Sequence, residues 1–70
     1  MSFNAKYTVI QYHADYIIQK ERPGYRKQFY LKSIYKGECT WYTDMIWAKA
    51  YKTEKAAFDV INKIVTGIYK

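Results

Sequence analysis

A chain of 70 residues in which half are hydrophobic and 12 Lys and Arg face 6 Asp and Glu has room for one small domain, residues 1–70, and none for an enzyme that must enclose a large pocket. One cysteine, Cys39, and one histidine, His13, exclude an internal disulfide and a zinc site supplied by this chain alone. The apolar runs are a few residues long, far short of the roughly 20 that span a bilayer, and residues 1–6 hold no apolar leader segment, so the expectation is a soluble cytoplasmic protein with no cofactor and no membrane partner.

In chain order, residues 6–12 and 15–20 are rich in Tyr, Val, Ile and Thr, the residue types that suit a pleated surface, and read as strands with a bend or bulge at His13-Ala14. Glu21-Arg22-Pro23-Gly24-Tyr25 is a turn, because Pro presets the φ wanted at its second position and Gly accepts the positive φ wanted at its third. A hairpin follows, whose second arm spans residues 28–36. Alternation there puts Phe29, Leu31, Ser33 and Tyr35 on one face and Tyr30, Lys32, Ile34 and Lys36 on the other. Lys36-Gly37-Glu38 is a further turn or bulge, and residues 39–43 resume as strand. Thr43-Asp44 then cap a short helix over residues 45–49, residues 50–52 make a short strand, and Thr53 caps a helix over about 54 to 68 with Glu54 in its first turn. Along that helix Ala57, Phe58, Ile61, Ile64, Val65 and Ile68 recur at three- and four-residue spacing and form one apolar stripe. Three or four antiparallel strands followed by one amphipathic helix on a sheet face define an α+β domain.

Catalytic constellations are sparse. His13 and Asp15 stand two apart, a spacing that lets a carboxylate orient an imidazole base, yet no nucleophile or oxyanion donor accompanies them, and a surface pair explains them better. Cys39 has Glu38 and Thr40 beside it, which offer no positive charge to stabilise a thiolate. The glycines at 24, 37 and 67 are isolated, so no phosphate-cradling loop is present. The expectation is a protein that is not an enzyme.

Basic and aromatic residues carry the stronger signal. Lys20, Arg22, Arg26, Lys27, Lys32 and Lys36 place six positive charges in seventeen residues, opposed by Glu21 alone, and Tyr25, Phe29, Tyr30 and Tyr35 are interleaved with them. Cations with stacking rings suit a polyanion such as nucleic acid, an acidic protein surface, or a solvated hairpin whose lysines keep the sheet edge unpaired. Nine Tyr, two Trp and three Phe exceed what a small core buries. Trp41, Trp47, Tyr51 and Phe58 are assigned to the sheet–helix core, and Tyr25, Tyr30 and Tyr35 to a contact surface, since Tyr and Trp concentrate at the energetic centres of interfaces.

The stretch from Trp41 through Thr43-Asp44, Ala50-Tyr51-Lys52-Thr53 and on to Ala56-Ala57 resembles a pattern of small phage and bacterial α+β proteins, in which Trp, Thr or Ser with Asp, then Ala, an aromatic and Lys-Thr lead into a terminal helix. The resemblance spans about a third of the chain and has a structural explanation in caps, a core aromatic and small residues. It implies a stoichiometric inhibitor of host machinery or of a defence system. Expected partners are therefore a host protein with an acidic or nucleic-acid-binding surface, bound through Lys20, Arg22, Tyr25, Arg26, Lys27, Tyr30, Lys32, Tyr35 and Lys36. Direct nucleic-acid binding by the same hairpin is the alternative, and a structural homo-oligomer, suggested by the small core and an exposed edge strand, is a third.

Overall fold

Alternating Tyr, Val, Ile and Thr residues build four strands in the computed structural model, which describes residues 5–24 and 26–70. They are β1 (Lys6–Tyr12), β2 (Asp15–Glu21), β3 (Phe29–Tyr35) and β4 (Glu38–Tyr42); a 3-10 turn (Met45–Trp47) and one helix, α1 (Glu54–Val65), follow. The strands form an antiparallel sheet in the order β1-β2-β3-β4, and α1 packs on one face of it. This is the expected α+β architecture.

Two tight turns set the outer registers. His13 and Ala14 join β1 to β2, which pair without a break from Lys6↔Glu21 to Tyr12↔Asp15, and His13 adopts a φ of 56° to close the turn. Lys36 (φ 51°) and Gly37 (φ 79°) join β3 to β4; positive φ at both central positions is the type I′ turn whose twist matches that of a hairpin. Gly24 (φ 84°) takes the positive φ that the Pro-Gly turn requires.

Within β3 the alternation breaks. Leu31 pairs with Trp41 but Ser33 pairs with Thr40, leaving Lys32 as the extra residue of a bulge. Past that point every side chain changes face. Leu31 and Ile34 therefore both join the helix-side core, whereas Ser33 and Tyr35 turn away, Tyr35 with 72% of its surface exposed. The strict two-residue alternation placed Ile34 opposite Leu31; the bulge corrects it.

Strands β2 and β3 pair only at Gln19↔Tyr30 and Lys20↔Phe29. Beyond these pairs they separate, and residues 49–51 enter the gap: the Lys49 N–H donates to the Leu31 carbonyl (2.7 Å), while Tyr51 and Tyr16 exchange two bonds of 2.8 and 2.9 Å. The short strand expected at 50–52 is thus a single bridge, and the short helix expected at 45–49 is one 3-10 turn capped by Asp44, whose carboxylate accepts from the Ile46 N–H at 3.1 Å.

Thr53 caps α1 as the sequence predicts, accepting from the Ala56 N–H at 3.1 Å. The helix ends at Val65, three residues before the expected Ile68, because Gly67 (φ 85°) reverses the chain: Gly67 donates to the Ile64 carbonyl and Ile68 to that of Lys63, the paired bonds of a Schellman close. The tail then reaches β4, where Lys70 donates to the Gly37 carbonyl and accepts from the Cys39 N–H. Ala57 and Ile61 are buried against Ile18 and Leu31, with Tyr7, Val9, Ile34, Cys39, Trp41, Tyr51 and Val60 around them. Of the four aromatics assigned to the core, Trp41 and Tyr51 pack there; Phe58 (47% exposed) and Trp47 (56%) do not. Phe58 lies about 100° around the helix from Ala57, on a flank that the sheet does not cover.

Lys36→Asn should raise unfolding free energy by about 0.5–1 kcal/mol in urea titration, since Asn accepts positive φ beside Gly37 more readily than Lys. The Tyr51 hydroxyl is buried with no hydrogen-bond partner among the described residues, and burial pushes its phenol up to about 12. Protonated Tyr51 thus favours the fold below the ordinary phenol value of 10, and that contribution is lost as pH rises towards 12. Tyr51→Phe should add roughly 1 kcal/mol at neutral pH and weaken alkaline unfolding, as read by circular dichroism.

Candidate functional site

The row Tyr7, Lys20, Phe29 runs across three adjacent strands on the helix-side face, because Tyr7 pairs with Lys20 and Lys20 with Phe29. Trp41, opposite Leu31 on β4, completes the group. The Lys20 ammonium lies 4.8 Å from the centroid of the Trp41 ring and 5.9 Å from that of Tyr7, and the two rings are 5.9 Å apart with a 41° tilt. Lys20, Arg22, Phe29 and Trp41 line an open pocket of ≈ 130 Å³. Two cations and two flat apolar walls in one depression can receive an anionic group attached to an apolar or planar body.

Electrostatics follow from that packing. Burial, then the Arg22 charge, push the Lys20 amine below its ordinary value, against a smaller pull from Cys39 in the other direction. Burial raises the Cys39 thiol, which Lys20 partly offsets, so the half-buried Cys39 is held protonated. Burial likewise raises the Tyr7 phenol, with Cys39 adding to the effect and Arg22 opposing it.

The fold divides the remaining basic and aromatic residues of the segment. Arg26 and Lys27 are exposed in the loop that follows Arg22. Tyr30 is half-buried on the opposite face, across from Tyr42. Lys32, two residues from Tyr30 and on the same face, lies 4.4 Å from the centroid of the Tyr42 ring and donates to its hydroxyl at 3.3 Å. Tyr35 and Lys36, whose ammonium is 5.4 Å from the centroid of the Tyr35 ring, stand at the other end of β3, about 20 Å away for a seven-residue strand. Tyr25 lies outside the described residues. The eight described residues therefore form no single surface: Lys20, Arg22, Arg26 and Lys27 gather at the β2 end that leads to β3, and Tyr30, Lys32, Tyr35 and Lys36 spread along the other side of β3.

Tyr7 is a member that sequence reasoning missed. The signal was available: a two-residue turn at 13–14 makes the numbers of facing residues sum to 27, which places Tyr7 across from Lys20. His13 sits in that turn with its ring 4.3 Å from the Tyr12 ring, edge to face, and Asp15 faces Tyr12 at the start of β2. Among the described residues no group of three or more His, Cys, Asp or Glu could hold a metal ion, and no helix is long and apolar enough to cross a membrane. No family model, curated protein or solved structure matches this chain.

The Lys20 side chain should titrate below the ordinary lysine value of 10.5, and Arg22→Gln should raise its midpoint without restoring that value, because burial remains. Carbon NMR of the lysine side chains across alkaline pH reads both; an ordinary midpoint would mean the cluster does not persist in solution.

Proposed function

We propose that this chain is a small binding protein, without catalytic activity of its own, that occupies an acidic surface of a partner protein through the pocket of Lys20, Arg22, Phe29 and Trp41 and the adjoining Arg26 and Lys27. The observation that carries this reading is the convergence of paired cations and aromatic walls at one end of the sheet. Aromatic rings with arginine make energetic centres of interfaces, and the excess of positive charge steers association with an acidic patch. The mode of action is steric occlusion. The Trp41 to Ala57 pattern resembles small phage and bacterial α+β proteins, and what that resemblance implies, a stoichiometric inhibitor of host or defence proteins acting in the host cytoplasm, agrees with this reading.

A second reading, direct binding of single-stranded nucleic acid, draws support from the same pocket, since Trp41 and Phe29 offer stacking faces beside cations that neutralise phosphate. A tagged pull-down from bacterial lysate, with and without nuclease, separates the two. A stoichiometric protein that survives nuclease supports occlusion; recovery of nucleic acid, or of partners lost on nuclease treatment, supports the second reading. Arg22→Glu with Arg26→Glu should weaken capture on the order of a hundredfold while the circular dichroism spectrum stays unchanged. Full capture by the folded double variant would place the contact surface elsewhere.

A further inference from the structure

The outer edge of β1 is a row of backbone groups whose directions the ladder reveals. Tyr16 spends both its N–H and its carbonyl on Tyr51, so its pair with Gln11 is a non-hydrogen-bonded one. By alternation the N–H and carbonyl groups of Gln11, Val9 and Tyr7 all point away from β2. Among the described residues nothing bonds to them, whereas the corresponding edge of β4 is met by Lys70 at Gly37 and Cys39. β1 also lacks the devices that keep an edge unpaired: it holds no Pro, its seven pairs with β2 run without a bulge, and its one charge, Lys6, sits at the extreme end.

We propose that β1 pairs antiparallel with β1 of a second copy about a twofold axis at Val9, joining two sheets into one of eight strands. The three outward residues are symmetric about Val9. Val9 faces Val9 of the other copy and Tyr7 faces Gln11, so each of three pairs exchanges two hydrogen bonds. The same register sets Lys6 against Tyr12, a cation beside a ring as at Lys32 with Tyr42 and Lys63 with Tyr69. Charge favours a copy of this chain on this edge. Residues 22–36 carry Arg22, Arg26, Lys27, Lys32 and Lys36 with no acid, while β1 carries Lys6 alone; antiparallel pairing sends the two basic loops to opposite ends of the joined sheet, which limits repulsion between chains of net charge +6. A polyanion would find almost no charge on this edge. The inference rests on β1 and is independent of the pocket.

Sedimentation equilibrium over a concentration series should show mass rising from 8.4 kDa towards twice that value. Hydrogen exchange should show the Tyr7, Val9 and Gln11 amides gaining protection in step, while those of Thr8, Ile10 and Tyr12 are protected at every concentration. Gln11→Pro, at an exposed edge position whose N–H leaves the sheet, should weaken dimerisation at least about tenfold; Arg22→Glu with Arg26→Glu should leave it intact. Mass of 8.4 kDa at all concentrations overturns the proposal, as does a dimer in which the Tyr7, Val9 and Gln11 amides exchange as fast as in the monomer. Protection of those amides by a captured partner, with the protein alone remaining monomeric, would assign the edge to a different chain.

Discussion

Residues 49–51 hold the two layers of this protein together. Three backbone hydrogen bonds tie Lys49 to Leu31 on one side and Tyr51 to Tyr16 on the other, and they close the opening left where β2 and β3 part after two pairs. The helix needs that anchorage, because its inward face buries no more than Ala57 and Ile61. A helix with so little buried apolar area gains most when its start is already held beside the sheet and ordering it costs less entropy. At its other end, the reversal at Gly67 returns the tail to β4, so the helix is bound to the sheet by backbone at both ends.

The same shortage of core explains the surface. Lysines rest on many of the aromatic rings: Lys20 on Trp41 and Lys49 on Tyr51, whose rings also pack on the core, and Lys32 on Tyr42, Lys36 on Tyr35 and Lys63 on Tyr69. Such pairs contribute modestly at exposed positions, where solvent competes for the ammonium. At Lys20 the ammonium is partly withdrawn from water and crowded by Arg22, and it gains from any anion that enters the pocket. That end of the sheet is where the fold concentrates charge, while β1 remains nearly neutral and its outer backbone groups bond to nothing among the described residues. One small sheet thus presents two surfaces of different chemistry.

Element boundaries were largely legible from local chemistry. β1 starts one residue before the run of β-branched and aromatic residues and ends with it at Tyr12, Gly24 and Gly37 mark turns whose positive φ they satisfy, and Thr53 and Asp44 cap the elements they precede. The candidate site was legible in part. Lys20 and Arg22 stood out by charge, but Tyr7 joins them from thirteen residues away through strand pairing, and Trp41, expected in the core, also forms a wall of the pocket. The grouping of Tyr35 and Lys36 with the loop arginines followed the linear run of charge and ignored the length of the strand between them.

Local chemistry along the chain establishes the inventory: three or four strands, their turns, a capped helix, and a basic segment laced with tyrosine, all properties of neighbours within a few residues of one another. Which side chains share a face beyond the β3 bulge and around the helix was decided by tertiary contacts. A one-residue bulge at Lys32 sent Ile34 inward and Tyr35 outward, reversing a pattern that strict alternation had set. The helix turned Phe58 and Val65 outward although the periodicity counted them with Ile61, because a helix of this length over a four-stranded sheet buries a stripe narrower than its apolar arc. Both outcomes depend on contacts between segments distant in the chain, where a shift of one residue changes the exposure of every side chain after it while local propensity stays the same.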